Sequence, residues 1–197
     1  AISAGIFTSP TGTLTLAKNF SFTAGTFTHN SGTVVFGGTP AITGSPAFNH
    51  VTINATRSLN GGTGTITVDG NWSNAGTFTP STGIVTFGRT GGTQTVDNGG
   101  SSFRVMNHND TSTLQLTNNM TTTSTVTQSS TGTFDANDFT VTTAGAMTVS
   151  GGTYLARTAL QTFAGLTVSG GTFTCSTGNI QVNGTLTVST AVGATFS

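Results

Sequence analysis

The 197-residue chain is formally neutral, carries 5% charged residues against about a quarter in a typical soluble domain, and contains no glutamate. Its five bases, Lys18, Arg57, Arg89, Arg104 and Arg157, are too few and too scattered for the cationic stripe that nucleic acid requires, and no apolar run approaches the roughly 20 residues of a membrane span. With 14 Phe and abundant Val, Ile and Thr the composition is not that of a disordered chain.

Long straight-chain helix formers are scarce, and Gly, Asn or Pro interrupts every apolar run, so the prediction is an all-β chain. In chain order, residues 4–16 (AGIFTSPTGTLTL) open with a motif that returns at 24–36 (AGTFTHNSGTVVF), 75–87 (AGTFTPSTGIVTF) and 170–182 (GGTFTCSTGNIQV). Looser copies begin at Thr131 and Gly151, and a truncated one occupies 193–197. A second signature, an apolar-x-apolar strand followed shortly by Asn and another apolar residue, appears as LTLAKNF, ITVDGNW and LQLTNNM, with the variant IQVNGTLTV at 180–188. The matches Phe27 with Phe78 and Phe36 with Phe87 hold an offset of 51, read here as two rungs.

Internal repetition at a few tens of residues marks a solenoid. Each strand alternates Thr or Ser with Val, Ile, Leu or Phe, giving one apolar and one hydroxyl-bearing face. A lone rung cannot bury its apolar face, but stacked rungs build a continuous core. Taking Phe7, Phe27, Phe48, Phe78, Phe103, Phe134, Tyr154, Phe173 and Phe196 as markers of successive rungs gives about eight coils of roughly 19–31 residues over 1–197. Phe27 and Phe78 are then expected in one column. The fold-level rival is a pilin-like β-sandwich with a donated strand, which predicts antiparallel pairing.

The GTF-x-x-x-x-G-x-V-x-F and L-T-V-x-G-N-W patterns resemble the degenerate repeats of bacterial surface and secreted β-solenoids, similar to filamentous-haemagglutinin and autotransporter-passenger repeats. The resemblance implies a parallel β-helix, expected to be right-handed, and an extracellular structural or adhesive role. It carries no residue-level function.

Candidate chemistry is sparse. Asp135 and Asp138 are the one close acid pair, suited to a cation or to acid and base roles if a turn joins them, and otherwise exposed turn residues. His29, His50 and His108 lack metal-ligand spacing and read as loop or surface residues, with His50 and His108 adjacent only if coiling brings them together. Cys175 is a lone thiol with no basic neighbour, so no disulfide framework exists. Trp72 reads as a rung residue. Neither a nucleophile elbow nor a phosphate loop occurs. Catalytic, cofactor and metal residues are accordingly assigned to none, and the chain is read as not an enzyme.

Six sequons (Asn19, Asn54, Asn71, Asn109, Asn119, Asn183) make glycans plausible modifications or partners. Thr-x-Thr pairs such as Thr13/Thr15, Thr65/Thr67 and Thr185/Thr187 would form hydroxyl ladders of the kind an ice-binding solenoid uses. Because the chain starts and stops within copies of its motif, the leading expectation is a segment of a longer solenoid, or a subunit that self-associates head to tail into a surface fibre. A glycan-binding adhesin stalk and a polysaccharide-degrading β-helix with converging acids are the alternatives.

Overall fold

The computed structural model describes residues 1–175, 177–189 and 195–196. The chain is a parallel β-solenoid of about nine turns, and among the described residues every strand pairing is parallel. That excludes the antiparallel sandwich. No described helix is long and apolar enough to cross a membrane.

Each turn visits three faces in the order A, B, C. Face A is one ten-stranded sheet built from Thr13–Leu16, Thr33–Phe36, His50–Ile53, Trp72–Asn74, Thr93–Asp97, Thr113–Leu116, Thr133–Asp135, Thr153–Leu155, Thr172–Thr174 and Thr195–Phe196. Face B runs through Phe20–Ser21, Ile42–Thr43, Ser58–Asn60, Thr77–Thr79, Ser102–Phe103, Met120–Thr122 and Ile180–Val182, and face C through Ile6–Thr8, Thr26–Thr28, Ala47–Phe48, Thr65–Val68, Ile84–Phe87, Val105–His108, Val126–Gln128 and Leu186–Val188. Two long strands, Val141–Val149 and Gln161–Val168, bend across the corner between B and C and belong to both. Successive turns on face A are 17 residues apart at the shortest (Thr33 to His50) and 24 at the longest (Trp72 to Val96).

Period-2 alternation drives this arrangement. On His50–Ile53, Thr65–Val68 and Thr113–Leu116 alternate residues are buried, and the inward ones stack on their counterparts one turn away. Ile66, Val85, Met106 and Val126 form one such column on face C; Leu114, Phe134, Tyr154 and Phe173 form another on face A. Tyr154 and Phe173 stack at 4.9 Å, and Phe134 meets Tyr154 edge-on at 5.0 Å, contacts worth about 0.5–1.5 kcal/mol each beyond the area they bury.

The nine aromatic markers divide among the faces. Phe7, Phe27 and Phe48 lie on face C, Phe78 and Phe103 on face B, and Phe134, Tyr154, Phe173 and Phe196 on face A; the Phe196 side chain and residues 193, 194 and 197 of the truncated copy fall outside the described residues. Within each group the spacing of 19–25 residues is one turn. The jumps of 30 (Phe48 to Phe78) and 31 (Phe103 to Phe134) change face and span about one and two-thirds turns. The markers therefore undercount the coils, giving eight where the structure has nine, and 30-residue rungs do not exist. Phe27 and Phe78 are not in one column: Phe27 pairs with Phe7, and Phe78 with Leu59.

The recurring motif explains the discrepancy, because it encodes a corner and not a face. Residues 4–16 and 24–36 turn from C to A, 75–87 from B to C, and 170–182 from A to B. Its fixed glycine serves each corner alike. A Cβ on Gly32 would sit 2.2 Å from the Pro10 carbonyl oxygen, on Gly83 2.8 Å from that of Gly64, and on Gly178 2.1 Å from that of Thr158. The preceding turn passes too close for any side chain.

Candidate functional site

The second signature positions its asparagine as a clamp between turns. Asn19, Asn71 and Asn119 each accept, through Oδ1 at 3.0 Å, the backbone N–H of Ala41, Thr95 and Thr140 on the following turn. Three of the six sequon asparagines thus hold the coil together, while Asn54, Asn109 and Asn183 are exposed.

The acid pair is divided between two further clamps. Asp135 is buried and receives both Nε and Nη2 of Arg157, one turn on, at 2.8 Å, together with the Asn137 N–H at 2.9 Å. Burial opposes its ionisation, but these hydrogen bonds outweigh burial and hold the carboxyl below its ordinary range. Asp138 accepts from the Thr158 hydroxyl at 2.6 Å and its N–H at 3.1 Å, which keeps it low as well. Their shared corner turns through left-handed Asn137 (φ 50°) and Asp138 (φ 64°).

The three histidines have three environments. His108, expected at the surface, is fully buried on face C. Its Nδ1 meets Gln128 Oε1 at 2.6 Å and its Nε2 meets Ser112 Oγ at 3.0 Å, while Gln128 Nε2 donates to the Gly132 and Ser130 carbonyls. Gln128 supplies its oxygen to the ring, so Nδ1 carries the proton and Nε2 accepts from serine. Burial pushes the His108 pKa down. His50 projects from face A and does not approach His108. Gln94 and Gln161 repeat the device of a buried amide capping corner carbonyls, Gln161 also accepting the Tyr154 hydroxyl at 2.5 Å. Nothing in the local patterning marks these inward polar positions except their place at the start or end of a strand.

Trp72 is buried in the core column of face A against Phe78 and Phe103. Cys175 is half-buried after Thr174, and burial raises its thiol pKa. Threonines form single ladders, Thr93–Thr113–Thr133–Thr153–Thr172–Thr195 on face A and Thr127–Thr148–Thr167–Thr187 on face C. The doublets do not pile into paired columns: Thr15 stacks on Val35, and Thr65 on Ile84.

The best-formed surface concavity lies along the corner from face C to face A. There a single residue, Asn49, joins Ala47–Phe48 to His50–Ile53, whereas neighbouring turns use three to five residues (29–32, 69–71, 88–92). The short corner leaves a notch of about 480 Å³ lined by Ser31, Asn49, His50, Asp69, Gly88, Arg89 and Thr90. His29 Nε2 reaches over it to Asp69 Oδ2 at 3.3 Å. Burial raises the Asp69 pKa, with His29 opposing and Asp110 reinforcing the shift. His50 Nδ1 accepts the Asn71 N–H at 2.9 Å, and Gly70 leaves it room, since a Cβ there would sit 2.7 Å from that nitrogen. Burial, and then Arg89, lower the His50 pKa. Among the described residues no group of three or more His, Cys, Asp or Glu is placed to hold a metal ion. No protein-family model, curated protein or solved structure matches this chain.

Proposed function

We propose that the chain is a rod-forming stretch of an extracellular structural protein, a segment or subunit of a surface fibre of the bacterial β-solenoid kind. The observation that carries this reading is that the apolar columns run on into the end turns. Phe7 and Ile6 are exposed on the first turn, where Ala1, Ile2, Phe7, Leu14, Leu16 and Phe20 rim an open pocket of about 190 Å³, and Leu186 and Val188 are exposed on the last fully described one. Further turns of the same kind, in the same polypeptide or from another copy, would continue these columns. The commitment of Asp135, Asp138 and Arg157 to clamps favours a structural role over a catalytic one.

Nine turns at about 4.8 Å make a rod of roughly 43 Å. Negative-stain imaging of the 197-residue chain at rising concentration is the test. Filaments of one solenoid's width, shortened by Phe7→Asp or Leu186→Asp, are expected from end-to-end assembly. Discrete 43 Å rods at every concentration would overturn self-assembly, and compact particles would overturn the rod itself.

A further inference from the structure

The notch at Asn49 is more than a gap between corners, because the groups around it are oriented. The Asn71 N–H occupies His50 Nδ1, so the proton of the neutral ring sits on Nε2, which becomes a donor. Asn49 Nδ2 is spent on the Ser31 carbonyl at 2.7 Å, which leaves Oδ1 as an acceptor. Asp69 has one oxygen on His29 and the other beside Gly88, where a Cβ would approach to 3.1 Å. Arg89 is anchored by Nε on the Gly91 carbonyl at 3.1 Å and, among the described residues, meets no carboxylate within 4 Å. An unpaired guanidinium and an imidazole N–H thus share a polar cleft with two oxygen acceptors.

That combination fits one class of ligand. The single uncompensated charge at the cleft suits one anionic group, and the planar fork of arginine matches a carboxylate. Asp69 and Asn49 suit vicinal hydroxyls. The aromatic platform on which neutral sugars stack is missing here, since Trp72 is buried in the core. A second groove of about 330 Å³, lined by Thr33, His50, Val51, Thr52, Asn71 and Ser73, adjoins the cleft at His50 and carries hydroxyls along face A. A ligand longer than one ring would have somewhere to lie.

We propose that the notch binds an acidic saccharide, with Arg89 and the Nε2–H of His50 holding a uronate carboxylate, Asp69 and Asn49 accepting its hydroxyls, and the next residue of the glycan lying along face A. The site is monovalent and stands independently of any fibre role, so a failure here leaves the rod reading untouched.

The test uses the full chain and tri-galacturonate as probe, followed by NMR titration and calorimetry, with the fully methyl-esterified trimer as the control of equal size. Saturable binding to the acid form that shifts the His50 ring resonances is expected, with at least tenfold weaker binding of the ester. Arg89→Gln and Asp69→Asn should each weaken the acid form tenfold or more, while Arg57→Gln, on another corner, leaves it unchanged. Equal binding of acid and ester, an unaltered Arg89→Gln, or no shift at His50 at millimolar probe would overturn the proposal. Should Arg89→Gln fail to fold, the acid-versus-ester comparison and the His50 shifts on the unmodified chain decide it alone.

Discussion

Acidification should loosen this solenoid through His108, and the size of the effect follows from its surroundings. The ring is fully buried with both nitrogens bonded, and burial sets its pKa below the ordinary 6.5. In the unfolded chain the imidazole takes up a proton as pH falls through about 6.5, while in the folded chain it stays neutral until the lowered pKa is reached. The unfolded state therefore binds more protons in that window, and stability present above pH 6.5 drains away below it. A full proton of difference corresponds to about 1.4 kcal/mol per pH unit. His50, also shifted down, adds to the slope, but it is only half-buried and its share is screened by solvent. Urea unfolding measured from pH 8 to pH 5 on the wild type, His108→Gln and His50→Gln separates the two. His108→Gln is expected to be less stable at pH 8 yet to lose most of the pH slope, whereas His50→Gln should keep most of it. A His108→Gln profile as steep as wild type would refute the assignment of the buried neutral ring.

Gly32→Ala should cost at least the 1–3 kcal/mol typical of overpacking, because its Cβ falls 2.2 Å from a backbone oxygen that cannot rotate away; a thermal melt equal to wild type would contradict the close approach. Asn71→Ala leaves the Thr95 N–H without its acceptor and should cost about 1–3 kcal/mol by urea midpoint. Arg157→Ala strands the buried Asp135 carboxylate, so stability should drop at pH 7; Asp135 is held low when paired, so the wild type loses this contribution as pH falls below about 3.8, and the variant's acid unfolding should lack that step. In a Cys175→Ser background, Thr133→Cys with Thr153→Cys, paired across one turn, should oxidise to a disulfide, while Thr26→Cys with Thr77→Cys, 51 residues apart on faces C and B, should not.

Much of the fold was legible because alternation and corner glycines are local. The residues that must point inward are Val, Ile, Leu and Phe, and the glycines stand where one turn's backbone presses on the next. The rung count was not legible, and Phe27 and Phe78 show why. Both sit in the same AGTF context, yet one faces C and the other B, since a corner motif reads identically wherever on the triangle it falls. A roughly threefold coil with similar corners has a sequence period of one strand plus one corner, a third of the structural repeat. Only the column partners, such as Leu59 beneath Phe78, reveal the face, and those partners share no motif.

The candidate site was less legible still, because a departure from the repeat creates it. His29, Asn49, Asp69 and Arg89 lie at intervals of 20, and each alone looks like an ordinary polar corner residue. What sets them apart is the 17-residue turn from Thr33 to His50, where the corner shrinks to Asn49 and its neighbours overhang it. In a stack of near-identical coils a uniform corner gives a smooth ridge, so a cleft needs one turn shorter than those around it. The missing corner residues lower the backbone without moving the core column, since Val34, Val51 and Trp72 remain in register. A solenoid can thus open a binding notch by shortening one corner while leaving its core columns unbroken, and a variant with three glycines inserted beside Asn49 should fill the notch, keep the fold and abolish saccharide binding.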